Sequence, residues 1–368
     1  MVKEFGININ RNIQSRIYSS GKLRDIATLL EREREIYVVY DENVSHIAAE
    51  VVDSVAGLGQ AGVSSIKGCF AIDTSEELKT MDTALLICRQ LMEADASRKA
   101  LVLGIGGGIT TDLTGFAASI YKRGVRYANV PTTLLAQVDA AIGGKTGVNL
   151  DSYKNMLGVI VQPQFTYLCP AVLKSLPARE LKAGLAELLK TFLIADSAAY
   201  SKAVSSFTDG KTPEIPSAKS KNGATDGKTP EIPSADLILK AAAIKAAIVE
   251  RDPYEAGERA KLNLGHTFAH AIEHEARRRG DDIVHGEAVA IGIIMAAEKA
   301  EREGIAENGL TERLRRDFKA MNLPTECPYT ALDYAKDKKS AGGSVTFILP
   351  VRPGEVIMKS YDLHHNTE

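Results

Sequence analysis

The sequence has almost no excess of charge of either sign, and it lacks long apolar runs. Lys and Arg total 45 and Asp and Glu total 47, which gives a formal net charge of -2 with no basic block. This removes the electrostatic reason to expect nucleic acid or an anionic membrane as a partner. No apolar run reaches the roughly 20 residues that span a bilayer, and the start MVKEFGININ does not resemble a signal peptide. We therefore expect a cytoplasmic protein with a small-molecule partner.

Cysteine is also scarce. The four cysteines are scattered and form no CxxC pair: Cys69, Cys88, Cys169 and Cys327. Neither a disulfide framework nor a cysteine zinc site is indicated.

The order of the sequence patterns predicts two domains, as the length of 368 residues also suggests. In residues 1–175, short β-branched runs alternate with helix-like segments, and the clearest runs are Glu35–Tyr40 and Lys99–Gly104. This alternation predicts an α/β domain with a parallel sheet covered by helices. Residues 176–368 instead contain long Ala-rich amphipathic segments, which predict a mainly α-helical domain. These segments are 177–194, 235–251, 264–279 and 286–303.

A duplicated segment interrupts the second domain. The string TDGKTPEIPSA occurs at 208–218 and again at 225–235. Its Pro, Gly, Lys and Ser residues cannot bury a core, and two copies cannot build a solenoid. We interpret 206–234 as a mobile surface insertion between two helices and assign no chemistry to it.

A glycine-rich turn in the first domain predicts a phosphate site. Leu101–Gly104 reads as a strand that enters Gly106-Gly107-Gly108, and Thr111–Tyr121 reads as the helix that follows. Such a turn lets the backbone and the helix N-terminus approach a nucleotide phosphate. The spacing is not that of GxGxxG, so a merely tight turn stays open as an alternative.

A second glycine pair precedes a lysine. Gly143-Gly144-Lys145-Thr146 ends like a P-loop, but Asp139 stands where that motif requires its first glycine. A nucleotide hydrolase is therefore disfavoured. Lys145 remains a candidate for a lysine that reaches into a cleft, with a solvated loop lysine as the alternative.

The histidines of the second domain predict a metal site. His266, His270 and His274 recur every four residues on a predicted helix, and His285 follows after a turn. This spacing places side chains on one helical face. His270-Ala-Ile-Glu-His274 also satisfies the HxxEH pattern, so a metalloprotease stays open at this point.

Charged residues elsewhere in this domain are also candidates. Glu187 and Lys190 interrupt an apolar helical face, where ionised groups are costly unless they bind a ligand or pair with each other. Polar residues also crowd the chain just before His266: Lys245, Asp252, Glu255, Arg259 and Asn263.

Several of these motifs together resemble the 3-dehydroquinate synthase family of sugar phosphate cyclases, in the same order from about residue 35 to Pro350. They are Gly106–Phe116, Pro131–Asn149, Lys154-Asn155, Leu176–Glu180, Glu187–Lys190, Arg259–Phe268 and His285–Ala290. The resemblance implies an NAD-binding α/β domain followed by a helical metal- and substrate-binding domain, with the active site in the cleft between them.

The resemblance also assigns roles to residues. It implies NAD contacts at Asp41, Asn43, Glu76, Lys79, Gly107, Gly108, Asp112, Thr132, Thr133, Lys145 and Lys154. It implies a zinc ion, with cobalt as a substitute, bound by Glu187, His266 and His285, whereas spacing alone favours His266 and His270. Catalytic and substrate positions would be Asp139, Lys145, Lys154, Asn155, Lys190, Lys245, Arg259, Asn263 and His270, with Lys338 or Lys339. Arg123 would reach the substrate phosphate across a homodimer interface.

The implied reaction converts 3-deoxy-D-arabino-heptulosonate 7-phosphate into 3-dehydroquinate and phosphate. This is a lyase step of the shikimate pathway to aromatic amino acids, in which NAD is reduced and reoxidised within one turnover. A related sugar phosphate cyclase and an NAD-dependent polyol or glycerol-phosphate dehydrogenase are the alternatives. The joint presence of Lys145, Asn155, Asn263 and His270 favours the dehydroquinate branch.

Overall fold

The computed structural model describes residues 2–9, 12–57, 66–151, 153–208, 232–330, 332 and 344–362. The chain divides into two compact units, Met1–Leu176 with Lys245–Tyr254 and Pro177–Ile244 with Glu255–Glu368. The segment Lys245–Tyr254 thus groups with the first unit, although the sequence pattern placed it in the helical domain. No helix within the described ranges has the length and apolarity needed to cross a membrane.

The first unit is built on a seven-stranded sheet. Its strands are β1 (Lys3–Ile9), β2 (Asn12–Ser19), β3 (Ile36–Asp41), β4 (Ile66–Ile72), β5 (Leu101–Gly106), β6 (Arg126–Pro131) and β9 (Phe165–Leu168). The order is β1-β2-β9-β6-β5-β3-β4, and every neighbouring pair is parallel except β1 and β2. A separate antiparallel hairpin consists of β7 (Lys145–Leu150) and β8 (Tyr153–Ile160). The helices are α1 (Ala27–Leu30), α2 (Ser45–Ala56), α3 (Met81–Glu93) and α4 (Gly108–Ile120).

Both faces of this sheet are buried, as strand β3 illustrates. Ile36 and Val38 pack into one core cluster with residues of α1 and α2. Tyr37 and Val39 point the other way, into a second cluster with residues of α3 and α4. All four side chains are at most 2% exposed. Because side chains alternate along a strand, a run that is apolar at every position belongs to a sheet covered on both faces, as predicted.

The second unit is mainly helical. Its helices are α5 (Ala178–Ala195), α6 (Ser197–Thr208), α7 (Ala235–Arg251), α8 (His266–Arg279), α9 (His285–Arg302) and α10 (Leu310–Ala320), and the end of α7 from Lys245 groups with the first unit. Four of them confirm the helices predicted from periodicity. The antiparallel hairpin of β10 (Ser344–Arg352) and β11 (Glu355–Asp362) was missed, although apolar runs on either side of Pro353-Gly354 signal it.

Some sequence predictions fall outside the described residues. Most of the duplicated insertion, residues 209–231, is among them, and α6 and α7 lie on either side of it. Lys338 and Lys339 are also outside the described ranges.

Candidate active site

Predicted cofactor residues stand where neighbouring parallel strands of the first unit end. Asp41 is the last residue of β3, and its carboxylate accepts hydrogen bonds of 2.9 Å from the backbone N and from Nδ2 of Asn43. Strand β5 ends at Gly106, and β6 ends at Pro131, just before Thr132 and Thr133. The carboxyl ends of neighbouring parallel strands lie at the same edge of a sheet, which is where α/β proteins bind nucleotides.

The glycines of the predicted phosphate turn allow helix α4 to pack close to β5. A Cβ added to Gly106 would lie 2.1 Å from Thr110 Oγ1, and one added to Gly104 would lie 2.8 Å from Thr114 Oγ1. Helix α4 begins at Gly108, earlier than the predicted start at Thr111. The first turn of the helix therefore lies directly beside the glycines, and its backbone N–H groups suit an anion.

Lys79 forms hydrogen bonds with two other residues that were predicted to bind the cofactor or the substrate. Its ammonium donates hydrogen bonds to Asp112 Oδ2 at 2.6 Å and to Asn155 Oδ1 at 2.5 Å, and only 5% of the residue is exposed. Burial raises the pKa of Asp112, and the Lys79 ammonium opposes this shift. Because an ammonium only donates, it selects the amide oxygen of Asn155. The Asn155 NH₂ group is left as a donor for an anion.

Asn149 organises this cluster, although no role for it was predicted. Its Nδ2 donates to Glu76 Oε1 at 2.8 Å, and its Oδ1 accepts from the backbone N of Asn155 at 2.8 Å. Its backbone N donates to the Lys79 carbonyl at 2.8 Å. Lys154 Nζ lies 4.0 Å from Glu76 Oε1. The hairpin of β7 and β8 thus brings together Glu76, Lys79, Asp112, Lys154 and Asn155.

We expect Lys79→Met to destabilise the protein by about 3 kcal/mol, because it leaves the Asp112 carboxylate without its buried cation. Urea unfolding of the variant would measure the loss. Asp112→Asn in the same chain removes the unpaired charge and should restore part of the stability. A Lys79→Met variant as stable as the parent, or a double variant no more stable than the single one, would contradict this interpretation.

A second ion pair in the first unit joins Lys245 to Asp139. Lys245 Nζ donates to the Asp139 carbonyl at 2.6 Å and also pairs with the Asp139 carboxylate. Lys245 is 7% exposed, and Asp139 lies in a π-helical turn, Ala136–Ala140. Nearby in sequence, the exposed Lys145 is the first residue of strand β7, not part of a loop. This ion pair is one link between the segment that begins at Lys245 and the rest of the first unit.

Arg123 is not brought to this edge of the sheet. It is exposed and follows the last residue of α4, whereas the glycine turn lies at the start of the same helix. The 13 residues of α4 separate the two by about 20 Å. Its predicted action across a homodimer interface stays a prediction.

In the second unit, the structure groups the three predicted metal ligands. Glu187 on α5, His266 at the start of α8 and His285 at the start of α9 each offer one ligand atom, and these atoms lie within 4.8 Å of one another. Glu187 Oε1 is 3.7 Å from His266 Nε2 and 3.5 Å from His285 Nε2. A tetrahedral zinc ion with bonds near 2.1 Å has ligand atoms about 3.4 Å apart. The spacing therefore fits one ion.

The burial of Glu187 supports the same fit. Its carboxylate is fully buried, and neither oxygen makes a hydrogen bond of good geometry with the described residues. The Lys190 ammonium lies beside Glu187 Oε2, so these two charges are paired, as the alternative interpretation of the apolar helix predicted. A buried carboxylate is costly without such partners. One carboxylate and two imidazoles are also the donor set of a known class of catalytic zinc sites.

The second nitrogen of each imidazole has its own partner. His266 Nδ1 lies 3.2 Å from the Leu264 carbonyl, and His285 Nδ1 lies 3.3 Å from Glu273 Oε1. Burial and then the Lys190 ammonium lower the pKa of His266 well below its ordinary value of 6.5. Burial also lowers the pKa of His285, but the carboxylates of Glu273 and Glu187 outweigh it and raise that pKa to about 10. His266 is therefore neutral and can bind a metal without losing a proton, whereas His285 must lose a proton to do so.

Close backbone packing places α8 and α9 beside each other and beside α5. Gly265 precedes His266 with φ at +78°, and a Cβ there would lie 2.8 Å from Ile293 N on α9. A Cβ on Gly286, next to His285, would lie 2.2 Å from Ala183 Cα on α5. Glycine at both positions thus lets the ligand-bearing helices approach closely.

An ion pair reinforces the contact between α5 and α9. Arg179 donates from Nε and Nη2 to the two carboxylate oxygens of Glu287, each at 2.8 Å. It also donates from Nη2 to the Asp282 carbonyl at 2.6 Å. The turn that leads into His285 is therefore attached to the start of α5.

His270 and His274 are not part of the metal cluster that the described residues form. His270 is exposed, with its ring centroid 5.7 Å from that of His266, and neither it nor His274 is in the only ligand group found among the described residues. Among the described residues, the ligand group thus includes His266 without His270, the pair that spacing suggested, and it includes neither histidine of the HxxEH pattern. Asn263 Nδ2 donates to Glu255 Oε1 at 2.7 Å, and Arg259 is 2% exposed.

Comparison with known proteins assigns this architecture to a family. A sequence profile described as 3-dehydroquinate synthase N-terminal matches residues 69–183, and one described as 3-dehydroquinate synthase C-terminal matches residues 184–340. The chain belongs to the 3-dehydroquinate synthase family. A 3-dehydroquinate synthase from Campylobacter concisus is 34% identical over 359 residues, 96% of each chain. One from a Sulfurovum species is 38% identical over 284 residues, 76% of this chain and 75% of that protein.

Solved structures of sugar phosphate cyclases share the fold. A 2-epi-5-epi-valiolone synthase from Streptomyces hygroscopicus with NAD⁺ and Zn²⁺ bound is 25% identical and has a TM-score of 0.81, with 96% of this chain and 95% of that chain covered. A 2-deoxy-scyllo-inosose synthase complexed with carbaglucose-6-phosphate, NAD⁺ and Co²⁺ has a TM-score of 0.77 at 22% identity, with 98% and 97% covered. The predicted fold class, an α/β domain followed by a helical domain, is confirmed.

Proposed function

We propose that this chain catalyses the 3-dehydroquinate synthase reaction, the conversion of 3-deoxy-D-arabino-heptulosonate 7-phosphate to 3-dehydroquinate and phosphate. The observation that carries the proposal is the grouping of Glu187, His266 and His285 within 4.8 Å, in a chain of this family. The enzyme would be a phosphate-eliminating lyase of aromatic amino acid biosynthesis.

NAD and zinc are the proposed cofactors, and NAD⁺ with Zn²⁺ or Co²⁺ in the cyclase structures supports both. When bound, NAD supplies a reversible acceptor for a hydride, and zinc supplies a Lewis acid for substrate hydroxyl oxygens. Zinc would be held by Glu187, His266 and His285. NAD would be held by residues of the first unit that lie at or just after the ends of strands, in helix α4 and on the β7–β8 hairpin: Asp41, Asn43, Glu76, Lys79, Gly107, Gly108, Asp112, Thr132, Thr133, Lys145 and Lys154.

The remaining polar residues suit an anionic sugar substrate. In the first unit, Lys154 supplies a cation and Asn155 an amide donor, which together would bind the leaving phosphate. Asp139 would position Lys245 through their ion pair. We propose that the others bind the substrate or move its protons: Lys145, Lys190, Arg259, Asn263, His270 and, from a partner chain in a homodimer, Arg123. The homodimer and the cytoplasmic location stay predictions.

An assay of phosphate release tests the function directly. Purified protein mixed with the heptulosonate phosphate, NAD⁺ and Zn²⁺ should release one phosphate per substrate consumed. Removal of the metal with a chelator should reduce the rate at least about 100-fold, because the Lewis acid is lost, and added Zn²⁺ should restore it. Full activity of the metal-free protein would contradict the proposed metal dependence.

The same assay separates the alternatives. A polyol or glycerol-phosphate dehydrogenase would accumulate NADH in proportion to substrate, whereas the proposed reaction leaves NADH absorbance at 340 nm unchanged at completion. A related sugar phosphate cyclase would release phosphate from a different sugar phosphate, such as a hexose 6-phosphate, and not from the heptulosonate.

A further inference from the structure

Glu273 is a buried carboxylate that the proposed chemistry does not use. It lies on α8, seven residues after His266 and therefore on the same face of the helix. Only 8% of the residue is exposed. An ionised carboxylate is rarely buried to this degree unless a specific partner compensates it. The group that lies beside its carboxylate in the metal cluster therefore indicates the role of Glu273.

That partner is the imidazole of His285. Glu273 Oε1 lies 3.3 Å from His285 Nδ1, while Glu187 Oε1 lies 3.5 Å from His285 Nε2 on the other side of the ring. The two ring nitrogens thus face two different carboxylates. Two acceptors favour the doubly protonated ring; if Nε2 instead binds a metal ion, the remaining hydrogen stays on Nδ1 and is donated to Glu273, which fixes the orientation of the ring.

The two histidines of the cluster differ in what holds them. The Nδ1 of His266 faces a backbone carbonyl, and its side chain is 13% exposed. Each of the two is the first residue of its helix, but the side chain of His285 is 34% exposed, so packing restrains it less. A charged acceptor orients an imidazole more strongly than a carbonyl and increases its basicity as a ligand.

We infer that Glu273 is a positioning residue of the metal site, which orients His285 and strengthens its bond to the ion. Glu273 is also the glutamate of the HxxEH pattern, but its carboxylate lies beside the imidazole of His285 on another helix. This inference rests on the metal site of the proposed function. It adds a second carboxylate whose charge, through His285, favours a dication.

Zinc binding to the metal-free protein tests the inference without any assay of turnover. Competition with a chromogenic chelator should show that Glu273→Gln lowers the zinc affinity about 10- to 100-fold, the usual loss for such a partner. Glu275→Gln is the matched control, because Glu275 lies on the same helix and pairs with Arg278 and Arg279 at 2.7 and 2.6 Å. Its zinc affinity should equal that of the parent.

A double variant shows whether Glu273 acts through His285. Glu273→Gln should cost little further zinc affinity once His285→Ala has removed the ligand it orients. An equal loss in both backgrounds would overturn the inference and make Glu273 an independent ligand. Unchanged affinity in Glu273→Gln, with normal zinc uptake by the parent, would overturn this inference alone. A parent protein that binds no zinc would overturn the proposed metal dependence as well.

A conservative variant shows whether the loss of zinc affinity comes from the lost charge or from a folding defect. Glu273→Asp keeps the charge but shortens the side chain, so the hydrogen bond to His285 lengthens. We expect its zinc affinity to lie between those of the parent and Glu273→Gln, with thermal unfolding near that of the parent. A Glu273→Asp protein that binds zinc more weakly than Glu273→Gln would contradict a role for the charge.

Discussion

His266→Ala is expected to abolish phosphate release and to lower zinc affinity by more than about 100-fold. This loss is larger than is typical when a residue that only hydrogen-bonds to a metal ligand is removed. His266 supplies one of the three ligand atoms that the described residues bring together, and its low pKa leaves that nitrogen able to bind a metal at neutral pH. Without it, Glu187 and His285 would be the two remaining ligands, whereas catalytic zinc sites have three protein ligands. Chelator competition and the phosphate assay measure the two losses separately.

His274→Ala is the matched control for this prediction. It removes another histidine of helix α8 that is not part of the metal-ligand group. We expect its turnover and zinc affinity to stay within about twofold of the parent, the usual range for substitutions away from a site. Normal turnover by the His266→Ala protein would refute the assigned metal site.

Gly286→Ala is expected to destabilise the protein by at least about 2 kcal/mol and to weaken zinc binding, although residue 286 is not itself a metal ligand. The added Cβ would lie 2.2, 2.3 and 2.6 Å from the Cα, O and C atoms of Ala183. These are backbone atoms and cannot rotate away. Helix α9 must therefore move from α5, which separates His285 from Glu187.

Thermal unfolding and zinc titration of Gly286→Ala test this prediction. Gly21→Ala is a suitable control, because no atom lies within 4 Å of the added Cβ and the backbone there is not left-handed. The control should retain the stability and zinc affinity of the parent. A Gly286→Ala protein with unchanged zinc affinity would show that the close contact does not position His285.

Most of the regular structure could be predicted because the signals are local. The apolar run of β3 and the periodicity of α5, α8 and α9 reflect which side of each element is buried. The hairpin of β7 and β8 was missed because Gly143-Gly144-Lys145 was interpreted as a loop, and β8 is largely exposed. A half-exposed hairpin has too few buried positions to produce a strong pattern.

The ligands of the metal site could not be selected from local spacing alone. Helical spacing favours His266 with His270, since residues four apart share a face, and the resemblance to a family was needed to select Glu187 and His285. In the structure, His270 lies outside the ligand group, because the third ligand comes from the start of α9.

The sequence by itself determined most of the elements, the order of the two domains and the family, because periodicity, turn residues and collinear motifs are all local properties of the chain. Only the tertiary structure decided which distant side chains meet, such as Lys79 with Asp112 and Asn155, or Glu273 with His285. Those pairings depend on backbone contacts between packed elements, including the one that glycine permits between α5 and α9. Spacing along the chain carries no information about contacts of that kind.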